Sequence, residues 1–265
     1  LIKKALTGER LEIAEIKILH VDGSERIVLW NSAPVLGSDG KTIIEIIAQG
    51  QDITERKRAE NNLKFFAEAS KILSSSLNPQ ITFDAVARLV VPQLADWCSV
   101  EILDAQGKLQ QIAVAHKDPD KVTWAKELRK KQEPDMDAPT GLPNVLRTGK
   151  PEFYPLITDD MLVAVSKTPE ELELARSLGF TSAIIVPIFS SKKCIGGITF
   201  VTTESRRRYS EADLALAEEL AVRASHAIEN AQLYHSAQKE ITERRKLEKQ
   251  KDEFISIASH ELKTP

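Results

Sequence analysis

The chain has 265 residues, of which 42% are hydrophobic and 28% charged, with a formal net charge of −3 and two cysteines. Those totals describe a folded chain of one large or two smaller domains and exclude a disordered one, and they give no electrostatic reason to expect nucleic acid or an anionic membrane surface. No apolar run approaches the roughly 18 residues that cross a bilayer, no signal peptide is visible, and no metal-ligand spacing or disulfide framework is present, so a reducing cytoplasm is the expected compartment.

Residues 11–53 read as three antiparallel strands in series. LEIAEIKIL, RIVLWNSAPVL and TIIEIIAQGQDIT are separated by VDGS and GSDGK. Asp22-Gly23 and Asp39-Gly40 tolerate the positive φ of tight hairpin turns. A sheet of this size needs a cover for its apolar face, so the segment is expected to be the back half of a domain. Leu1 at the start and Pro265 directly after a helical pattern make both ends read as cut.

Thr54 is placed to cap a helix, and Glu55 sits in its first turn, where the helix dipole favours an acid. Leu63, Phe66, Ser70, Leu73 and Leu77 alternate at spacings of three and four, the seam of a short coiled coil. Phe65 and Ile72 widen the stripe, which equally suits a single amphipathic helix packed on its own domain. Pro79 starts a second helix over 79–92. DWCSVEILD and KLQQIAVAH form a hairpin, and a helical, loop-rich stretch punctuated by prolines spans 119–178. TSAIIVPIFS and CIGGITFVTTES form a second hairpin. From Ser210 a helix without Gly or Pro runs to Thr264, too long for an ordinary globular element, and points to a coiled coil or signalling stalk.

The phrase Ile-Thr-Glu-Arg occurs at 53–56 and again at 241–244. Both copies stand where a compact domain is expected to hand over to a rod, and their dense mixed charge keeps such a rod soluble. The plainer reading is convergent use of common helix-surface residues.

At QDITERKRAE, after the strand TIIEIIAQG, the chain resembles the end of a PAS domain, in which Asp-Ile-Thr closes the last strand and starts a signalling helix. The match covers about fifty residues, the C-terminal half of that fold, so it implies no PAS ligand. Residues 62–236 resemble a GAF domain of the bacterial sensor type, through DWCSVEILDAQGKLQQIAVAHKDPDKV, NVLRTGKPEFYP, LGFTSAIIVPIFSSKKCIGGITFVTTES and YSEADLALAEELAVRASHAIENAQLY. The resemblance implies an α+β domain. Its central antiparallel sheet carries a pocket on one face and N- and C-terminal helices on the other, and those helices commonly build a parallel dimer. The signatures of cyclic-nucleotide and bilin-binding members are missing, so the GAF ligand is unknown. Cys98, in an apolar strand, and Cys194, opening the last hairpin strand, read as core thiols. His116, at a strand end, could face the pocket as a haem ligand, against the plainer reading of a half-buried histidine. With Cys98 it makes the pair of pocket candidates. His20, His226 and His235 have no metal-ligand companions.

KDEFISIASHELKTP resembles the phosphoacceptor box of sensor histidine kinases, matching the pattern Phe-x-x-x-x-Ser-His-Glu-Leu-Lys-Thr-Pro throughout. At about 100° per residue, Phe254, Ile255, Ile257, Ala258 and Leu262 form an apolar arc, while Asp252, Ser256, Ser259, His260 and Lys263 fall on the wet face. Glu261 falls within the range of the arc.

The resemblance implies that His260 attacks the γ-phosphorus of ATP, with Glu261 as the orienting carboxylate. A response-regulator receiver Asp then takes the phosphoryl group. Glu261-x-x-Thr264 resembles the motif that positions water for dephosphorylation. Pro265 is expected to kink the helix. ATP and Mg2+ belong to a kinase domain expected to follow, so this stretch alone is expected to be inactive.

The domains are then expected to be a PAS remnant (1–53), a linker helix (54–78), the GAF domain (62–236), a coiled-coil linker (237–251) and the start of the phosphoacceptor helix (252–265). A cytoplasmic homodimer through helices 54–78 and 210–264 is expected. The alternatives are a ligand-binding GAF module feeding a phosphatase or cyclic-dinucleotide enzyme, and helices that serve only as a dimerisation scaffold.

Overall fold

The computed structural model describes residues 11–21, 25–104, 106–131 and 134–261, with backbone alone for 11–13, 131 and 252–261. The chain divides into two compact units at Ala67/Glu68.

In the first unit, β1 (Leu11–Leu19), β2 (Glu25–Leu36) and β3 (Ile43–Asp52) form an antiparallel sheet in that order, as the alternating pattern predicts. Its second turn uses Gly40 at φ +66°, and the Asp39 carboxylate accepts the amides of Lys41 at 3.0 Å and Thr42 at 2.9 Å. The first predicted turn, at Asp22-Gly23, lies outside the described residues.

α1 (Thr54–Ser74) starts directly after β3. The Thr54 side chain does not cap it in the expected way. Its hydroxyl donates to Asp52 Oδ1 (2.5 Å) and accepts the amide of Ile27 on β2 (2.8 Å). Asp52 Oδ1 also accepts the Thr54 amide at 2.8 Å, and the amide of Ile53, which is only 3% exposed, reaches the Ile27 carbonyl at 2.8 Å. Asp-Ile-Thr is therefore a clasp that fixes where strand becomes helix. Thr54→Val, which keeps the shape and removes the hydroxyl, should cost about 1–2 kcal/mol locally. Hydrogen exchange at the Ile27 amide should rise about tenfold or more, while Thr54→Ser stays near wild type; an unchanged Ile27 amide in the valine variant would refute the clasp.

The second Ile-Thr-Glu-Arg copy does nothing of the kind. Ile241 is 44% exposed, and Thr242 bonds its own helix at the Gln238 carbonyl. Identical letters serve as a junction in one place and as helix surface in the other.

Within the single chain, α1 follows the reading as a helix packed on its own domain. Its buried side chains are Phe65, Ala69 and Leu73, whereas Leu63 is 70% exposed. Leu77 lies beyond the helix, because the Ser74 and Ser75 hydroxyls turn back onto the carbonyls of Ser70 and Ile72 and end it.

The second unit is built on a five-stranded antiparallel sheet in the order β5-β4-β8-β7-β6. Its strands are β4 (Trp97–Leu103), β5 (Leu109–His116), β6 (Glu152–Tyr154), β7 (Ser182–Ser190) and β8 (Lys193–Thr202). The three-residue β6 falls inside the stretch read as helix and loop; it is too short for periodicity to reveal. The helices are α2 (Pro79–Gln93), α3 (Pro119–Lys131), α4 (Leu142–Thr148), α5 (Asp159–Val165), α6 (Pro169–Leu178) and α7 (Glu211–Glu261).

Strand alternation sorts the core into two faces. Cys98, Val100, Ile184, Val186, Ile198 and Phe200 share one face and are fully buried with Phe83 and Val90 of α2 and Leu220 and Ala224 of α7. The other face carries Ile185, which clusters with Leu109 of β5 and with Leu142 and Val145 of α4.

Candidate functional site

α7 begins where Asp213 reaches back to accept the Ser210 amide and hydroxyl, both at 2.8 Å. Ser210 thus starts the helix as expected, with Asp213 supplying the reciprocal half of a capping box. Ala217, Leu220, Ala221, Ala224, Ile228 and Ala231 are buried, so the first six turns belong to the domain. Three hydrogen bonds tie this part to the end of β7 and its turn. Ser225 Oγ accepts the Phe189 amide (2.9 Å), Ser190 Oγ donates to Gln232 (2.8 Å), and Glu229 accepts the Ser191 amide (2.8 Å). Arg223 also donates to Ser70 Oγ on α1 at 2.6 Å.

Past Ala231 the helix leaves the core, and Leu233, Tyr234, Ile241 and Leu247 stand 44–69% exposed. His260 and Glu261 lie in the same unbroken helix, about 44 Å along its axis from Ala231 at 1.5 Å per residue. Thr264 and Pro265 lie outside the described residues.

The sheet face expected to hold a ligand is closed at its centre. A Cβ on Gly197 would stand 2.5 Å from Leu142 Cδ1, and one on Gly196 would stand 2.2 Å from the Glu101 carbonyl oxygen. The two glycines let α4 and the neighbouring strand approach this closely, and Leu103, Leu146 and Tyr154 close in around the buried cluster. Glu152 latches the segment by accepting the Gly141 amide (2.6 Å), the Asn144 side-chain amide (2.7 Å) and the Tyr154 hydroxyl (2.5 Å). Burial, with that carboxylate beside it, pushes the Tyr154 hydroxyl up to about 12.

The sequence-predicted candidates fall in three separate places. Cys98 is fully buried in β4, and burial pushes its thiol well above the ordinary value. Cys194 is half-buried, with Sγ 3.5 Å from the Gly196 carbonyl, and its thiol is also raised by burial. Neither is a ready thiolate.

His116 is no open-pocket ligand and is more deeply buried than the half-buried residue expected. Its side chain is fully shielded. Nδ1 accepts the Asp118 amide at 3.0 Å, Nε2 stands 3.4 Å from Glu204, and the ring lies 4.3 Å from that of Trp97. Burial acts to raise the Glu204 carboxyl. Hydrogen bonds from Lys121, Thr203 and His116 outweigh it and hold the group far below the usual range. Beside this network Asp96, 7% exposed, accepts the amides of Thr203 (2.7 Å) and Ser205 (3.0 Å) and the Ser205 hydroxyl (2.7 Å). Sequence reading singled out neither Asp96 nor Glu204; a lone acid at a strand end carries no local signal.

An open cavity of about 560 Å³ lies between the free edge of β5 and α3. Lys108, Lys126, Arg129 and Lys130 line it, with Glu127 as the acidic member. The run KELRKK, read only as part of the helical middle, was the signal for it. Among the described residues no cluster of His, Cys, Asp and Glu could hold a metal ion, and no helix is long and apolar enough to cross a membrane.

A five-stranded antiparallel sheet with a helix pair on one face and a helix-and-loop cover on the other defines a small-ligand sensor architecture. The family model for the GAF domain matches residues 78–228, more than half of the chain, and the chain belongs to that family. Residues 1–58 match the PAS fold.

Among solved structures, the GAF domain of an Acinetobacter phosphoenolpyruvate-protein phosphotransferase is 17% identical, covering 64% of this chain and 94% of that one, with a TM-score of 0.49. A domain from a Sinorhizobium meliloti protein described as a two-component sensor histidine kinase is 13% identical, covering 59% and 94%, at 0.43. The free methionine-R-sulfoxide reductase of Neisseria meningitidis is 15% identical, covering 67% and 93%, at 0.46. These likenesses concern the fold alone. Comparison with curated proteins found no match.

Proposed function

We propose that this chain is the sensory and phosphoacceptor part of a two-component sensor histidine kinase. The observation that carries the reading is that the run Ser259–Pro265, SHELKTP, begins in the last turns of a helix whose first turns are core of a GAF domain. A ligand-binding domain and an acceptor histidine thus share one continuous element.

In this reading the lone pair of neutral His260 Nε2 attacks the γ-phosphorus of ATP held on a separate ATP-binding domain. An N–P bond forms, the bond to the bridging oxygen breaks, and ADP leaves. Glu261 holds the proton on Nδ1 and stabilises the imidazolium as it develops, which is the orienting role of a carboxylate beside a histidine nucleophile. The phosphoryl group then passes to an aspartate of a response-regulator receiver, and Thr264 positions water for the reverse signal. Exposed Tyr234, Ile241 and Leu247 would face a second copy of the helix.

The test is the chemistry of the phosphate. With ATP, Mg2+ and a histidine-kinase ATP-binding domain, in the natural protein or added in trans, label should appear on His260 as an acid-labile, alkali-stable phosphoramidate. Label confined to serine or threonine, or none, would favour a GAF module feeding another output.

Coupling requires that the two states of the domain differ in affinity for the ligand. The bonds from Ser225, Glu229 and Gln232 to β7 and its turn make α7 follow the sheet. One inserted residue at the second Ile-Thr-Glu-Arg copy turns His260 by about 100° relative to the domain, and four inserted residues leave a net turn of about 40°. One-residue insertion should change the regulated labelling ratio at least about fivefold, and four residues should restore most of it. Equal output across one-, two- and four-residue insertions would rule out rigid transmission.

A further inference from the structure

The turn that joins β7 to β8 breaks a local rule. Ser190 pairs with Lys193, so Ser191 and Lys192 alone form the loop. Both stand in the left-handed region, at φ +49° and +68°. A two-residue hairpin loop of this hand strongly prefers Asn-Gly or Asp-Gly, because a larger side chain crowds the backbone there. The sequence supplies serine and lysine instead. Among the described residues other than glycine, only Arg206 shares this region with them. Backbone strain of this kind persists where surrounding contacts hold it, and it gathers at clamps and switch regions.

The contacts that hold the turn come from α7. The register of the hairpin shifts between Ile188 and Phe189, and from there three consecutive residues bind the helix. The Phe189 amide donates to Ser225, the Ser190 hydroxyl to Gln232 and the Ser191 amide to Glu229. Positions 225, 229 and 232 have the spacing of four and three that makes one stripe of a helix. Ser225 is itself fixed, because its hydroxyl donates to the Ala221 carbonyl at 2.8 Å. Gln232 stands where the helix leaves the core, between buried Ala231 and exposed Leu233. The strained turn thus grips α7 at its exit toward His260. Two left-handed residues with side chains cost a free energy of the same size as three such hydrogen bonds contribute, so strain and grip nearly balance.

We propose that the turn between β7 and β8 is a spring-loaded catch on α7, with two states. Closed, it makes the helix follow the sheet. Open, the turn relaxes out of the left-handed region and releases the helix at Ser225, Glu229 and Gln232 together. The inference rests on the reading of α7 as the output helix and names the joint at which that output is regulated. A balance this close needs only a small difference in ligand affinity between the two states to move it.

The test is amide hydrogen exchange on the intact chain. Glu229→Ala removes the acceptor of the Ser191 amide and touches no other bond of the catch. If the catch is one unit, the Phe189 amide should nevertheless exchange at least about fivefold faster. The double variant Ser191→Asn/Lys192→Gly supplies residues that the left-handed turn prefers and keeps the main-chain donors, so the Phe189 amide should exchange at least about threefold slower. All three substitutions together should bring Phe189 back to within about twofold of the unaltered chain, since lost grip and lost strain offset each other. An unchanged Phe189 amide in Glu229→Ala overturns the proposal, because the bonds then act independently. Exchange that the double variant leaves unchanged or speeds also overturns it, because the turn then stores no strain. In the natural protein with ATP and Mg2+, labelling of His260 should move in opposite directions in Glu229→Ala and in the double variant, at least about twofold each. Movement of both in one direction, or of neither, overturns the regulatory role. Exchange is read on the backbone, so a wild-type protein that takes no label leaves the catch standing. Exchange that fails these expectations leaves the phosphoacceptor reading standing.

Discussion

Replacing His260 by glutamine is expected to reduce ATP-dependent labelling to background, a loss of at least about 100-fold. Glutamine keeps a polar side chain of similar length but offers no basic ring nitrogen. The amide lone pair is delocalised into the carbonyl, so no N–P bond forms. The same variant should leave stability within about 0.5 kcal/mol, the usual range for a surface substitution away from caps and cores. The split between chemistry and stability is the discriminating feature. If label survives in His260→Gln, the acceptor lies elsewhere, and Ser256 and Ser259, its neighbours in the sequence, become the first places to look. Glu261→Gln should slow labelling without abolishing it, because it removes the carboxylate that steadies Nδ1 and leaves the nucleophile. A label lost equally in both variants would mean that the two residues act as one unit.

Asp96→Ala is expected to cause the largest loss of stability, about 3–4 kcal/mol, read as a shift of the urea midpoint of the GAF domain. The reason is an imbalance of partners. The carboxylate gathers two amides and a hydroxyl from Thr203 and Ser205, and alanine leaves those donors in a shielded turn with nothing to accept them, each costing about 1–3 kcal/mol before relaxation. Burial acts to raise the Asp96 carboxyl, but those three hydrogen bonds outweigh it and hold the group below its ordinary value of 3.8. A depressed folded-state value means that the stabilisation is present at pH above 3.8 and is lost as pH falls through the lower folded value. Asp96→Asn, which keeps the shape and loses the charge, should therefore be weaker than wild type at neutral pH and converge on it as the medium is acidified. A constant gap between the two down to pH 2 would show that charge contributes nothing here. Since the turn leads straight into Ser210 and α7, Asp96→Ala should also uncouple ligand from output before the domain melts.

Much of this arrangement was legible in the residues. The alternation in LEIAEIKIL and AIIVPIF, and the Asp39-Gly40 dipeptide, are local signals with local causes, and the strands stand where those signals put them. Asp-Ile-Thr was legible as a boundary but not as a mechanism. The Thr54 hydroxyl reaches Ile27, 27 residues earlier, and no reading of neighbours predicts that partner. Which face of α1 packs within the chain was open in the residues for a related reason. Leu63 fits a heptad, but spacing names a set of faces and burial selects one of them, here that of Phe65, Ala69 and Leu73. β6 was missed because three residues carry no period; its partner β7 defines it as a strand.

Among the candidate sites, His260 owes its standing to a run of consecutive letters on a helix, and nothing in the tertiary structure was needed to find it. The cavity at β5 could not be found in that way. Its cations come from a turn and a helix on either side of an edge strand, and only folding places them on one rim. Asp96 meets Thr203 across 107 positions, and His116 meets Glu204 across 88.

Strand and helix spacing, turn chemistry and the acceptor run are properties of neighbouring residues, so the order of the longer strands and the long helix that carries the histidine were legible in the sequence alone. Tertiary structure decided which acids hold the turn before α7, that the sheet face under α4 is closed, and that four cations surround an open hollow. The physical reason is range. Backbone preference and periodicity act over a few residues, whereas burial and charge pairing depend on which distant segments the fold brings within about 4 Å.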